Sequence, residues 1–392
     1  MPSKRFSIAV LVLAQVSVLS VWFSSAAVLA EMKAEAGLTT TDLAWLTTAV
    51  QLGFAMGALG FAALGIADRF DPRRVFCMSA VVAAAANLGQ LAVPIGGEAA
   101  LVLRAITGAA LAGVYPVGMK IAVGWSKTNR GLLVGALVGA LTVGSASPHL
   151  FAYLGGADWR LTIWTTTAIT VIGGLSILAT ALGPHHAKAP RLQMSVIALA
   201  WTDRRIRLAI LGYLGHMWEL YVFWAWIGVI AGSSYTVAGL SDSSDLAKLT
   251  AFLAVGLGGI ACVACGRIAD RVGKAVVSAW ILGLSAAVAV ASALAWGGPP
   301  WLVMFLLIVW GILVVPDSPL FSALVADAAP PERAGSLMTL QTSIGFLLTA
   351  VTVQATPWMV DLVGWPAVMT FMGVGPVLGV LAMRALMREG VR

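Results

Sequence analysis

An all-α membrane protein of twelve transmembrane helices, built as two pseudo-symmetric six-helix bundles, is the fold class this sequence predicts. Three observations predict it. Hydrophobic residues make up 60% of the 392 residues and charged ones only 10%, against roughly 25% charged in an ordinary soluble domain. Twelve apolar runs each reach the length of about 20 residues that a spanning helix needs. Landmarks of the first half return in the second at a nearly constant offset, the mark of an internal repeat.

The composition comes first. So few charges cannot cover a water-facing surface, so lipid is the expected solvent. The net charge of +7 sits in short Lys/Arg clusters between apolar runs, which fits membrane topology and not a continuous nucleic-acid-binding stripe. Cys77, Cys262 and Cys265 lie at or inside apolar runs. They read as small buried residues, and Cys262-x-x-Cys265 lacks the soluble context of a redox motif.

The runs cover 7–30, 43–66, 75–95, 98–124, 131–155, 161–182, 206–231, 246–266, 275–296, 301–325, 335–358 and 365–387. The first follows Lys4 and Arg5 and is longer than the roughly 7–15 apolar residues of a signal peptide. It is expected to be a retained helix. The longest polar connection, Gly183 to Arg207, holds Pro184, His185, His186, Pro190 and five basic residues. The expected domains are therefore a bundle over 1–182, a linker over 183–205 and a second bundle over 206–392. With the N-terminus in the cytoplasm, 19 of the 24 Lys and Arg fall on the cytoplasmic side. The positive-inside rule then expects both termini in the cytoplasm.

The repeat joins the two bundles. Asp68-Arg69 after the second run returns as Asp270-Arg271 after the eighth, 202 residues later. Trp22 and Trp224 share that offset, and Gly108 and Pro116 match Gly311 and Pro319 at 203. The loop Gly65-Ile-Ala-Asp68-Arg69-Phe-Asp-Pro-Arg73-Arg74, with its echo Gly266-Arg-Ile-Ala-Asp270-Arg271-Val-Gly273-Lys274, resembles the signature of the major facilitator superfamily. Arg104-x-x-x-Gly108 in the fourth run and Asp158-Trp159-Arg160 opening the sixth resemble further motifs of that family. The resemblance covers the whole chain. It implies a secondary transporter with two six-helix bundles around a cavity lined mainly by helices one, four, seven and ten, working by alternating access.

That resemblance makes Asp68, Arg69, Arg73, Asp270 and Arg271 candidates for a conformational gate. A charge at a helix end is worth roughly 0.3–1 kcal/mol; the bland alternative is a tight turn with basic residues placed by topology. Drug–proton antiporters of the family carry a Gly-Pro motif late in helix five, and here Gly144 and Pro148 stand apart. Nitrate-type carriers have Asn in that helix, which this chain lacks.

Ionisable groups inside a membrane cost about 2.5–3.5 kcal/mol on insertion scales and are functional candidates by default. Glu219 lies mid-way along helix seven, with His216 three residues earlier on the same stripe. Glu219 either carries a coupling proton or substrate contact, or holds helices together; His216 modulates it or packs. Asp317 lies in Pro316-Asp317-Ser318-Pro319, where the prolines must break helix ten. Irregular backbone at membrane depth is tolerated where it is buried or lines a cavity, and breaks at matching places in two repeats point to a binding site. Asp317 is a candidate there, against a capping role. Arg104 and Tyr115 share a face of helix four; Arg104 is either an anion or proton-relay group or a structural partner. Lys120 is a weaker candidate that can snorkel to the interface. Trp22 and Gln15 on helix one complete the expected cavity lining. The intramembrane charges are basic in the first half (Arg104, Lys120) and acidic in the second (Glu219, Asp317), so a small organic anion or zwitterion is the expected solute, with the coupling proton on the acids.

No His-Glu-x-x-His, Gly-x-Ser-x-Gly or phosphate loop occurs, so an enzyme is not expected, nor a cofactor or metal. Proton-coupled symport is the first reading, drug or metabolite efflux by antiport the second, and a non-transporting receptor or scaffold the rival class. Expected partners are a small-molecule substrate, protons and the lipid bilayer, with no nucleic acid. A monomer in a bacterial inner membrane is expected.

Overall fold

The computed structural model describes residues 2–125, 130–156, 158–185 and 195–391, and among them there is no strand. Much of the central connection, including His186 and Pro190, lies outside the described residues. The chain divides into two compact units, Met1–Leu192 and Gln193–Arg392.

Ten described segments are long and apolar enough to cross a membrane. They hold eleven of the twelve predicted runs, because the last, Ala334–Arg388, contains two. Those two meet at Gly364, whose φ of 78° interrupts the helix ahead of Pro366. The first run is the twelfth. Its regular helix covers only Lys4–Leu19, then loosens through turns before Leu29–Ala36.

Helix ends follow local chemistry. Thr39 and Asp42 form a capping box that starts Thr40–Leu64, answering two orphan backbone donors at once. Asp71 accepts from the Arg73 backbone N–H ahead of Pro72, and Asp158 and Asp203 cap the helices that begin at Trp159 and Arg204 in the same way.

Helices four and ten are broken at matching places. The fourth is Glu98–Leu111 followed by Tyr115–Val123, and the tenth is Pro300–Leu313 followed by Ser318–Ala328. The lower pieces start 203 residues apart, each with its proline (Pro116, Pro319) in second place. One cause acts twice: a proline near a helix start removes a donor that has no intrahelical acceptor anyway. Helices one and seven do not match. The seventh runs unbroken from Arg204 to Val237.

Close backbone approach also repeats. A Cβ on Gly108 would stand 2.0 Å from the Val50 carbonyl, and one on Gly311 2.0 Å from that of Ala254. Each glycine lets a broken helix press on its neighbour, helix two in one unit and helix eight in the other, where packing replaces the hydrophobic drive that lipid removes.

The doubled loop differs between copies for a simple reason. Gly65, at φ 60°, ends helix two in the left-handed region, where glycine has no steric penalty. When the Asp-Arg pairs are aligned, that place in the second copy is Arg267. Without a glycine there, helix eight continues to Val272 and stops at Gly273.

Candidate functional site

In the second unit, helix seven carries Glu219 and His216 into the core, both 1% exposed. The Glu219 carboxylate accepts from Trp310 Nε1 at 2.7 Å and Ser285 Oγ at 2.8 Å. Helices seven, nine and ten thus meet on one side chain. Charge-accepting oxygens at this depth need such donors, because an unanswered buried carboxylate is costly.

One turn away, His216 Nδ1 stands 3.0 Å from Asp317 Oδ1, with Asp317 also 1% exposed. The contact is not aligned as a hydrogen bond: neither Asp317 oxygen nor His216 Nε2 has a hydrogen-bond partner among the described residues. The rings of Phe321 and Tyr213 flank the imidazole at 5.6 and 6.2 Å between centroids. Asp317 occupies the cap position of Ser318–Ala328, yet its side chain makes no capping bond. Capping therefore does not account for it. Three of the predicted residues, Glu219, His216 and Asp317, come together here.

In the first unit Arg104 is fully buried. Its guanidinium donates to the carbonyls of Trp22 at 2.6 Å, Val21 at 3.0 Å and Leu46 at 3.3 Å, and to Ser24 Oγ at 3.1 Å. The Val21 and Trp22 carbonyls lie where helix one loosens, and that of Leu46 belongs to helix two. Ser24 also donates to Asn87 Oδ1 at 2.8 Å, and the Asn87 amide donates to Thr166 at 3.1 Å and Thr167 at 3.0 Å. A continuous polar network thus ties helices one, three, four and six.

The remaining candidates in this unit separate. Trp22 is buried with its ring 4.8 Å from that of Phe54. Gln15 is buried against helix four, where a Cβ on Gly118 would lie 2.2 Å from its Oε1. The Gln15 carboxamide has no hydrogen-bond partner among the described residues. Tyr115 opens the lower piece of helix four and is partly buried. Lys120 reaches the signature loop, pairing with the Asp68 carboxylate and donating to the Ala67 carbonyl at 2.9 Å.

The gate candidates divide by copy. Arg73 grips Asp71 through Nη2 at 2.6 Å and Nε at 3.1 Å, and donates to the Thr180 carbonyl at 2.7 Å. It ties the start of helix three to the end of helix six. The Arg73 hydrogen bond holds the Asp71 carboxyl below its usual range. Arg69 is exposed, as are Asp270 and Arg271. In the second unit the cross-loop pair is formed instead by Lys274 and Asp327.

At the opposite end of the first unit, Glu35 receives Trp159 Nε1 at 2.7 Å and Arg160 Nη1 at 2.9 Å. The Arg160 guanidinium also lies 4.6 Å over the Trp159 ring.

Sequence reasoning missed Trp310, Ser285, Asn87 and Ser24. Asn87 carried a usable signal, an amide inside a predicted span. Ser285 carried none, since a serine in a span usually answers its own helix.

A family model described as Major Facilitator Superfamily matches residues 11–353. Among solved structures, a mutant of the nucleoside transporter NupG superposes with a TM-score of 0.74 at 15% identity, covering 98% of this chain and 100% of that one. The D-xylose-proton symporter superposes with a TM-score of 0.71 at 15% identity, covering 98% and 97%. At that identity the likeness concerns the fold. No curated protein sequence matches the chain.

Proposed function

The chain belongs to the Major Facilitator Superfamily, a family of membrane transporters, and from that premise we propose that it is a proton-coupled symporter of a small organic zwitterion. The observation that carries the reading is the buried pair of acids in one unit, Glu219 and Asp317, with His216 in contact with Asp317. Carboxylates at membrane depth are costly while charged and are functional candidates by default. The similar D-xylose-proton symporter is by its name proton-coupled, which favours symport over antiport.

The solute class follows from which polar groups are engaged. Arg104 donates to backbone carbonyls and Lys120 to Asp68, so neither basic group favours a simple anion. Asp317 keeps both oxygens without an aligned donor, and Gln15 its whole carboxamide. Buried polar atoms in that state call for a partner in another step of the cycle. A solute with a cationic or donor group answers Asp317. Transport is proposed to run by alternating access, with Asp68–Lys120 and Arg73–Asp71 stiffening one end of the first unit.

The reading is tested by screening amino acids, organic anions and cationic drugs against purified protein in proteoliposomes with an external pH-sensitive dye. Alkalinisation on adding an amino acid or related zwitterion is the expected result. Proton release from acid-loaded vesicles would replace symport with antiport.

A further inference from the structure

One end of the second unit carries two features that transport does not use. The short helix Val196–Thr202 precedes helix seven and buries Val196 and Ala200. Ile197 and Trp201, one turn apart on the adjoining face, are 42% and 47% exposed. Arg207 holds this helix in place by donating to the Trp201 carbonyl.

Arginines from two helix ends meet at the start of helix seven, which this short helix precedes. Arg204 pairs with the Glu389 carboxylate at 2.9 Å, and Arg205 donates to the Glu389 backbone carbonyl at 3.0 Å. These bonds bring the end of helix twelve, with exposed Arg384 and Arg388, beside the start of helix seven. Arg384 and Arg388 make no ion pair among the described residues and stand one turn apart on one face. Two acids adjoin these arginines in the chain. Asp203 is engaged by the Arg205 and Ile206 backbone N–H groups, and Glu389 by Arg204. Five arginines against two occupied carboxylates leave this end strongly positive.

Each feature has a physical counterpart in a membrane. Trp is favoured at the boundary between hydrocarbon and headgroups. Guanidinium groups match phosphate oxygens in paired hydrogen bonds, and basic residues next to a spanning helix attract anionic lipid. From this juxtaposition we infer that this end of the second unit binds the phosphate of an anionic phospholipid, with Ile197 and Trp201 seated beside it at the lipid boundary. Arg384 and Arg388 are the primary phosphate contacts; Arg204 and Arg205, anchored by residue 389, frame the site.

The test is native mass spectrometry of the full chain in detergent, titrated separately with phosphatidylglycerol and phosphatidylcholine. The wild type is expected to prefer phosphatidylglycerol. In the Arg384→Gln/Arg388→Gln double variant its affinity should drop roughly tenfold or more. Lys4→Gln/Arg5→Gln, in the first unit, should leave it unchanged. Equal affinity of the wild type for the two lipids would overturn the inference, as would a preference that survives in the double variant. Should the double variant fail to fold, a nitroxide on Ile197→Cys decides, because the three native cysteines are buried. In vesicles containing phosphatidylglycerol it should collide more with oxygen than with a water-soluble nickel chelate. The opposite ranking would place this helix in water and refute the site.

Discussion

His216 and Asp317 touch at 3.0 Å in the core of the second unit, from an unbroken helix to the break of another. Helix ten has no regular hydrogen bonding between Leu313 and Ser318, so Asp317 is set by the chain break and not by a helical register. Glu219, one turn along helix seven from His216, is held in the opposite manner, by two donors from two further helices. One carboxylate is anchored and the other is not. That contrast leaves Asp317 open to a further donor.

The anchoring of Glu219 predicts a specific loss. Trp310→Phe keeps the ring against Phe223 (4.8 Å between centroids) but removes the indole N–H. One buried carboxylate oxygen then loses its donor, at a cost of about 1–3 kcal/mol. Thermal unfolding in detergent should show the drop, and Trp310→Phe combined with Glu219→Gln should recover part of it.

Arg104 predicts a failure of conservative exchange. Lysine cannot reproduce four donations fanned over Trp22, Val21, Leu46 and Ser24, because an ammonium has three donors on a point charge. Arg104→Lys should lower stability by about 2 kcal/mol or more. Amide hydrogen exchange should rise around residues 20–28, where helix one loosens.

Asp68 and Lys120 predict coupling. Each single neutral variant, Asp68→Asn or Lys120→Gln, should lose most of what the double variant loses. The interaction energy from the cycle is about 0.5–1 kcal/mol for a partly exposed pair. Asp270→Asn should cost little by comparison, since Asp270 is exposed and makes no ion pair among the described residues.

The Glu35 contact predicts a pH dependence whose sign is fixed. Hydrogen bonds from Arg160 and then Trp159 lower its pKa from the ordinary 4.5. A carboxylate with a lowered folded-state pKa stabilises the fold above its unfolded value and loses that contribution as pH falls through the folded one. The melting temperatures of wild type and Glu35→Gln should therefore differ at pH 7. They should converge as the pH drops below 4.5.

Much of this was legible in the sequence because the deciding forces are local. Run length and apolarity mark a span, and proline marks where helices four and ten must break. Pro116 and Pro319 did so at matching positions. The loosening of helix one was not legible, since no glycine or proline lies between Leu19 and Leu29. Arg104, 80 residues away, accommodates it by answering the freed carbonyls, and that pairing is tertiary. Lys120 read as a weaker site candidate or a snorkelling residue; its partner Asp68, 52 residues back, was not legible. The doubled Asp-Arg loop suggested equal roles, but a one-residue displacement of glycine changed the second copy.

The central claim, that the acids of the second unit carry the coupling proton, is tested most directly by substrate-driven proton uptake in proteoliposomes between pH 5.5 and 8, comparing wild type with Asp317→Asn and Glu219→Gln. Wild-type uptake should move protons. Asp317→Asn should abolish proton movement while substrate exchange across the membrane persists, and Glu219→Gln should weaken both. Proton-coupled uptake of undiminished rate and unchanged pH dependence in both variants would contradict the claim.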